Sequence, residues 1–548
     1  MKKNKNLKSF IWITSITAIL LITFFSACSR KEVSDFDGPI PLGKEAILSV
    51  SIAGIEDPTE KEMESKAKAG RVMIKGQSLK PQVNTAEGSL YELPEFDAFV
   101  QSTSGSISDN KKLKIGFDRS SNSSGSNKAE AKPMDNLVTY QILLYNPDGS
   151  LFKSVQAKSN QKLAIEVWKG IEYNWYAYSY NETADMPALN NAANPTIESS
   201  ISKDLLYANG TVKVDGAGNI EKPLTILFKH KVSNIVIELN AQGLFAGLNT
   251  VQATFAGNYF KKGTLDIKTG NMTNLTTVTT GPLNFFRTHD DYKDTIKRVS
   301  YFTADEAAIN NFTFNLNSFT LALDRGDTRT FTTTTSYPFT VVPTHGTRLT
   351  GTVVMVESAL SIANTRWARA NLYFSDADLA YRFRHQSEDV YPRDPNEYWK
   401  FKTPFPGSSE LEIGTQDPCT KVYPKGVWRM PTDGEVDNLV NQNGRTDNTK
   451  FAEFQASGVA SPYPSNKLRI NKIGYLHLIG QMFGVTEDGD NAYLYSSKAR
   501  TLIGGLFGGV YMFKASNIKQ YIITGEKVWG EWSASSWGGR VNVRCVRN

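Results

Sequence analysis

Apolar and polar side chains alternate along one stretch in the middle of the chain, and this pattern restricts the local fold to β-structure. From Leu224 to Val232 the even-numbered positions are apolar except for His230, and from Ile235 onward the apolar residues occupy odd positions. A period of two residues is typical of a strand with one buried face. The change of phase at Ser233-Asn234 predicts a bulge or a tight turn there.

Further strand patterns make the first 360 residues almost purely β. The stretch from Val138 to Asn146 leads through Pro147-Asp148-Gly149 into a second run that starts at Leu151, which is typical of a hairpin. The stretch from Tyr173 to Tyr180 carries large side chains on both faces, as expected of a strand inside a sandwich. We therefore expect a mainly β fold in this part of the chain.

The first of these strands is expected from Ile47 to Ile55, with four side chains able to face a core, namely Ile47, Val50, Ile52 and Ile55. Residues 59–68 then form an almost wholly charged or small segment with acid–lysine pairs at i,i+4, which favours an exposed helix. The segment leads to Gly70-Arg71. Arg71 is thus either a processing site that a protease can reach or an ordinary linker arginine.

The beginning of the chain has the layout of an export signal. Four lysines precede an apolar run from Phe10 to Phe25, and Ser26-Ala27-Cys28 follows the run. This arrangement resembles a bacterial lipoprotein signal, in which residues 1–27 are removed and Cys28 receives the lipid. A free cysteine in a disposable leader is the alternative. The resemblance implies an outer-membrane lipoprotein, with residues 28–46 as a flexible tether.

Composition excludes several classes of protein. A chain of 548 residues with 40% hydrophobic and 21% charged residues is long enough for about three folded domains. The net charge of +6 includes the four leader lysines, so the remainder carries roughly +2 and gives no indication of nucleic-acid binding. If Cys28 carries lipid, Cys419 and Cys545 remain as an even number in an oxidising compartment, and we expect them to form a disulfide.

Five features, taken in their order along the chain, resemble the fimbrillin family of Bacteroidales. They are Cys28, the strand from Ile47 to Ile55, Arg71, the strand from Tyr173 to Tyr180 and the alternating stretch from Leu224. This resemblance implies pilus subunits with two tandem transthyretin-like β-sandwiches, placed here at residues 47–215 and 216–360. It also implies that a protease removes the first strand, within residues 47–71, and that a strand of another subunit fills the groove.

The composition changes after residue 365, where six of the nine tryptophans lie. Thr432 and Glu435 form a capping box that predicts the start of a helix. The Asp417-Pro418-Cys419 stretch and the closing strand with Cys545 resemble the Fibrobacter succinogenes major paralogous domain. That resemblance implies an α+β domain of C-type-lectin-like fold over residues 365–548.

Candidate ligand sites in this last part are few. Trp529, Trp532 and Trp537 lie within nine residues among glycines and serines, which is typical either of a recognition surface or of core packing. The acidic stretch around Asp488 could bind Ca²⁺ or form a solvated turn. Arg382, Arg384 and His385 could line a site for an acidic glycan or protein, or form a solvated basic face.

No catalytic set is found in the sequence. The five histidines are scattered, and no HExxH motif or phosphate-binding glycine loop occurs. His230 has no second ligand-type residue at metal spacing, so we expect it to be a hydrogen-bonded core histidine. The chain is therefore not expected to be an enzyme, and no cofactor or metal site is assigned.

These observations favour a fimbrial subunit at the cell surface. The expected partners are other pilus subunits, joined by strand addition, and a glycan or protein ligand of the C-terminal domain. A tip adhesin is favoured because a terminal strand carrying a bridged Cys545 is not free to be donated. A lipid-anchored glycan-binding protein that does not polymerise, and a pilus anchor that keeps Cys28, are the alternatives.

Overall fold

The computed structural model describes only part of the chain. The described residues are 46–58, 83–84, 89–93, 96–107, 131–216, 220–287, 294–323, 326–384, 394–406, 415–440, 442, 446–447, 451–456, 467–473, 491–501, 508–516, 525–530 and 540–548. Six of the candidate residues named from the sequence lie outside these ranges, namely Cys28, Arg71, His385, Asp488, Trp532 and Trp537.

Twelve strands lie among the described residues of the first part of the chain. They are β1 (Ala46–Glu56), β2 (Val83–Asn84), β3 (Ser89–Glu92), β4 (Asp97–Ser106), β5 (Ala131–Lys132), β6 (Thr139–Tyr145), β7 (Leu151–Lys158), β8 (Leu163–Val167), β9 (Glu172–Ser179), β10 (Thr196–Glu198), β11 (Leu206–Lys213) and β12 (Ile220–His230). The expected hairpin is confirmed, because β6 and β7 pair antiparallel around the turn at Pro147.

Ten strands follow in the part of the middle region that the structure describes. They are β13 (Ser233–Gly243), β14 (Gly247–Phe255), β15 (Phe260–Asp266), β16 (Met272–Val278), β17 (Phe286–Arg287), β18 (Ile296–Thr303), β19 (Ile309–Ala322), β20 (Thr328–Phe331), β21 (Thr335–Val341) and β22 (Thr347–Val356).

The remaining elements are shorter. They are β23 (Leu360–Ile362), β24 (Thr365–Trp367), β25 (Leu372–Ser375), β26 (Ala380–Phe383), β27 (Trp428–Arg429), α1 (Asp433–Val440), β28 (Thr446–Asp447), β29 (Phe451–Gln455), β30 (Lys467–Asn471), β31 (Asn491–Thr501), β32 (Gly508–Ser516), β33 (Gly525–Gly530) and β34 (Val546–Arg547). Two 3₁₀ turns lie at Pro395–Glu397 and Pro418–Lys421. The prediction of a mainly β chain is confirmed.

The first structural unit is an eight-stranded sheet, called here the N-terminal sheet. Its strand order is β5-β1-β12-β11-β9-β6-β7, and β8 also pairs with β1. Buried side chains from β1, β6, β8, β9, β11 and β12 form one hydrophobic cluster, to which Leu48, Tyr140 and Phe228 contribute with essentially no exposed surface. The sheet therefore encloses its own core.

The second unit, called here the middle sandwich, packs two sheets face to face. One has the order β17-β18-β13-β22-β4-β3-β2, and the other contains β14, β19, β20 and β21. Their shared core is rich in phenylalanine, and the rings of Phe319 and Phe331 stack with centroids 4.3 Å apart. A small third sheet, β10-β15-β16, lies beside these units.

The two units are interleaved along the chain, and the domain boundary expected near residue 215 stays a prediction. Strand β12 pairs with β1 and β11 in the N-terminal sheet, whereas β4, which precedes most of that sheet in the chain, pairs with β22 in the middle sandwich. The alternating stretch from Leu224 is therefore two strands of different sheets. The phase change at Ser233 marks the crossing from one unit to the other.

The C-terminal part, residues 360–548, shares a hydrophobic cluster with the middle sandwich. Phe99 and Val354 of the sandwich lie in one cluster with Trp399, Trp428 and Val543. Helix α1 begins as the capping box predicts, because the Glu435 N–H donates to Thr432 Oγ1 and the Thr432 N–H donates to the Glu435 carboxylate. The C-type-lectin-like fold of residues 365–548 stays a prediction.

Candidate functional site

Strand β1 lies inside the N-terminal sheet, with paired strands on both of its sides. On one side β1 pairs in parallel with β12, from Ala46 opposite Ile220 to Glu56 opposite Lys229. On its other side its first half pairs with β8 and its last two residues pair with β5. The strand is thus held on both sides.

The buried side chains of β1 differ from those expected. Ala46, Leu48, Val50 and Ile55 are almost fully buried, whereas Ile47 and Ile52 are only half-buried. The expectation was wrong for Ile47, because even-numbered positions face the core up to Ile52, which packs against the same hydrophobic cluster although it is only half-buried. The register shifts between Ile52 and Gly54, and this bulge brings the odd-numbered Ile55 to the core side.

Gly54 is required by the bulge. Its φ of +139° lies in a region that residues with a side chain rarely adopt. A Cβ added there would lie 2.2 Å from the carbonyl oxygen of Lys132 on β5. The close approach of β1 to β5 therefore depends on glycine at this position.

Four charged side chains meet where β1 ends. The Asp57 carboxylate lies 2.9 Å from Lys132 Nζ and 3.9 Å from His230 Nε2. On its other side the His230 ring hydrogen-bonds Asp204, with 2.8 Å between Nδ1 and Oδ1. These four residues are called here the end cluster. They come from the end of β1, from β5, from the end of β12 and from the loop before β11.

The electrostatics of the end cluster favour a charged histidine. Burial lowers the pKa of His230, but the Asp204 carboxylate, which also accepts its hydrogen bond, and the Asp57 carboxylate together raise that pKa to about 9. The ring is therefore an imidazolium at neutral pH. The expectation of a hydrogen-bonded core histidine agrees with this geometry, but no sequence pattern indicated the two acidic partners.

Several of the candidate residues from the sequence can be placed. The sulfurs of Cys419 and Cys545 are joined in a disulfide, and both residues are fully buried. Trp529 lies in β33, opposite Tyr511 of β32.

The arginines expected on a basic face are not available to an acidic ligand. Arg382 is almost fully buried and lies 2.6 Å from the Asp378 carboxylate. Arg384 forms ion pairs with Asp394 and Glu397 and stacks on the Tyr373 ring. Each guanidinium therefore has a carboxylate partner, which is why the expectation of a solvated basic face is wrong for Arg382.

A buried ionic network at the end of the chain was not foreseen from the sequence. The Arg547 guanidinium donates to the Asp97 carboxylate of β4 and to the Glu357 carbonyl, and it lies over the Trp428 ring. Glu357 in turn accepts hydrogen bonds from Arg329. The charges of these residues gave no signal in the sequence because their partners are so far apart along the chain.

The described residues contain neither a metal-binding group of side chains nor a membrane-spanning helix. Nowhere in the parts of the chain that the structure describes do three His, Cys, Asp or Glu side chains group in a way that could hold a metal ion. Within the same residues, no helix has both the length and the hydropathy of a membrane span.

Part of the chain matches the sequence model of a known family. Residues 157–362, which run from the end of β7 to the end of β23, match the sequence model of the fimbrillin-like family. The match includes β8 and β12, two of the three strands that pair with β1, but neither β5 nor β1 itself. No curated protein sequence matches the chain.

Several solved structures are similar to parts of this chain at low sequence identity. A candidate cell adhesion protein from Bacteroides fragilis is 11% identical, covering 63% of this chain and 99% of its own, with a TM-score of 0.27. The fimbrial anchor protein Mfa2 from Porphyromonas gingivalis is 9% identical, with coverages of 35% and 73% and a TM-score of 0.21. A fimbrial assembly protein from Parabacteroides distasonis is 11% identical, with coverages of 37% and 77% and a TM-score of 0.20. TM-scores this low support no argument about function.

Proposed function

We propose that this chain is a cell-surface fimbrial subunit whose first strand is removed by proteolysis and replaced by a strand of another subunit. The match of residues 157–362 to the fimbrillin-like family supports the general role. The observation that carries the mechanism is the place of β1, which fills a slot between β12 and the pair β8 and β5.

Removing β1 would leave an energetically unfavourable groove. The apolar face of β12, with Leu224, Ile226 and Phe228, belongs to the same hydrophobic cluster as Leu48 and Val50 and would lose these contacts. Each large aliphatic side chain that fills the groove contributes roughly 1.5 to 3 kcal/mol. The exposed strand edges also lose the hydrogen-bond partners of their backbone groups. An added strand restores both the apolar contacts and these hydrogen bonds.

The order of events follows from the positions along the chain. Residues 57–82 lie between β1 and β2 in the chain, and Arg71 is among them. A cut after Arg71 frees the end of β1 from the rest of the chain. The strand is then held only by its ladder and its side chains, so a competing strand can replace it.

The other end of the chain supports a terminal position in the fibre. In the proposed mechanism a subunit in the shaft donates a strand to its neighbour. Here Cys545 is bridged to Cys419, and the next but one residue, Arg547, is bound to Asp97 of the middle sandwich. A last strand held in this way is not donated, so the subunit accepts a strand and ends the polymer. We place it at the tip, with the C-terminal part as the adhesive region.

The N-terminus of the surface form tests this proposal. Mass spectrometry of fibres sheared from cells should find a mature chain that begins at Val72. The Arg71→Gln variant should retain the preceding residues, whereas the matched Lys68→Gln variant should be processed normally. Assembled protein that still begins at Cys28 would contradict the proposal and would favour a lipid-anchored glycan-binding protein or an anchor.

Tip placement needs a separate measurement. Immunogold labelling of purified fibres should place this subunit at one end of each fibre. Labels spaced regularly along the shaft would show that the last strand does not prevent chain growth.

A further inference from the structure

The groove left by β1 is not uniformly apolar, and its charged end restricts which strand can replace β1. This inference rests on the strand replacement proposed above. Of the four residues of the end cluster, only Asp57 belongs to the segment that leaves with β1. Lys132, His230 and Asp204 stay with the subunit.

The two cations that face Asp57 are well placed to select a carboxylate. The His230 side chain is about 1% exposed and Asp57 about 8%, so their interaction is only weakly screened by water. Lys132 Nζ lies 2.9 Å from the Asp57 carboxylate. Asp204 occupies the opposite nitrogen of the His230 ring and cannot take the place of Asp57 as well.

Loss of Asp57 removes one counter-charge from the groove. With β1 present, two cations and two carboxylates balance one another. Without Asp57, Lys132 and His230 lose the carboxylate that faces both of them, while Asp204 stays on the opposite nitrogen of the His230 ring. Enclosing these cations under a strand that offers no carboxylate is unfavourable, so an incoming strand that lacks an acid binds more weakly.

We infer that the replacement strand carries a carboxylate two residues after its last buried aliphatic side chain, at the place of Asp57. Gly54 adds an independent requirement three residues earlier, because any Cβ there meets the Lys132 carbonyl oxygen. Leu48 and Val50 fix the apolar positions that come before the glycine. The partner is thus a strand with two alternate aliphatic residues, a glycine, an aliphatic residue and an acid, in that order.

Peptide exchange on the full chain tests this inference. A specific protease site is placed within residues 59–82, the chain is cleaved, and a fluorescent peptide with the sequence of residues 46–58 is added in excess. The Asp57→Asn peptide should bind at least about tenfold more weakly than the parent peptide at pH 7. The Asp57→Glu peptide should recover part of the loss, and the Ser51→Asn peptide, changed at an exposed position, should bind like the parent.

The same peptide-exchange experiment on a variant of the acceptor chain identifies the side chains that bind the carboxylate of the incoming strand. In the His230→Gln chain the affinities of the parent and Asp57→Asn peptides should differ by less than about threefold, because one of the two facing cations is gone. A discrimination that is unchanged in the His230→Gln chain would contradict the role of His230 in selecting the acid. Circular dichroism confirms that the variant chain is folded before it is used.

The outcomes separate the inference from the proposed function. If the parent and Asp57→Asn peptides enter the parent chain equally well, the requirement for an acid is wrong and strand replacement stands. If none of the peptides enters the cleaved chain, strand replacement itself is overturned, and the inference falls with it.

Discussion

The Arg547 guanidinium donates a hydrogen bond of 2.5 Å to the carboxylate of Asp97, which lies 450 residues earlier in the chain. Both side chains are almost fully buried. Arg547 is the last residue of β34, and Asp97 is the first residue of β4 in the middle sandwich. The pair therefore joins the end of the chain to a sheet formed near its beginning.

Removing one member of this pair should destabilise the protein strongly. The Arg547→Met variant leaves Asp97 buried without its nearest cation, and the expected loss in the free energy of unfolding is roughly 3 to 5 kcal/mol. Urea unfolding measures the change. The Asp97→Asn/Arg547→Met double variant should lose less than the single one, and Lys262→Met, in an exposed ion pair with Glu198, should change stability by less than about 1 kcal/mol.

The disulfide should contribute by closing a long loop. Cys419 and Cys545 are 126 residues apart. In the chain-entropy model a loop of this length is worth up to about 5 kcal/mol, so the Cys419→Ser/Cys545→Ser variant should unfold at a clearly lower urea concentration than the parent. Equal midpoints for the two proteins would show that the bridge is not needed to hold the C-terminal strand.

Gly54 should tolerate no side chain. Because φ at Gly54 is +139° and an added Cβ meets the Lys132 carbonyl oxygen, the Gly54→Ala variant should lose roughly 1 to 3 kcal/mol or more. Hydrogen exchange should show reduced protection of the β1 amides in particular. Gly105→Ala is the matched control, since an added Cβ there has nothing within 4 Å.

The end cluster should make stability depend on pH in the alkaline range. The folded-state pKa of His230 is about 9, above its ordinary value of 6.5, because the two aspartates outweigh the effect of burial. Such a group stabilises the fold fully below pH 6.5, and its contribution is lost as the pH rises through 9. The groups that face the ring are Asp204 and Asp57, and Lys132 lies beside Asp57.

Comparison with a variant isolates this effect from other titrations. The stability difference between the parent and His230→Gln should be larger at about pH 6 than at about pH 10, by of the order of 3 kcal/mol. Denaturant unfolding at both pH values measures it. A difference that does not change between the two would show that His230 is not charged in the folded protein.

Local features of this fold could be predicted from the sequence, and features that join distant residues could not. The hairpin around Pro147 and the start of α1 at Thr432 depend on a few adjacent residues, and both were foreseen. The half-buried state of Ile47 was missed because the sequence shows aliphatic residues at both odd and even positions of β1. Even positions face the core up to Ile52, and the bulge at Gly54, which lies against Lys132 far away in the chain, brings the odd-numbered Ile55 to the core as well.

The acidic partners of His230 in the candidate site could not be predicted for the same reason. His230 was correctly placed on an apolar face, since alternation is local. Its partners Asp57 and Asp204 are brought to it only by the pairing of β1 and β11 with β12. No pattern along the sequence links these three positions. The charged cluster at the end of the groove could therefore be recognised only in the three-dimensional structure.

Locking β1 in place tests the central claim most directly. Ser51 and Thr225 are opposite each other in the parallel ladder of β1 and β12, and both are exposed. Paired positions of this kind lie within the distance that a disulfide can span. The Ser51→Cys/Thr225→Cys variant should therefore tie the first strand to its neighbour. It should be exported and cleaved normally but should stay out of fibres until a mild reductant is added, whereas Ser51→Cys alone should assemble like the parent. Normal assembly of the oxidised double variant, with the bridge verified by mass spectrometry, would contradict the replacement of β1.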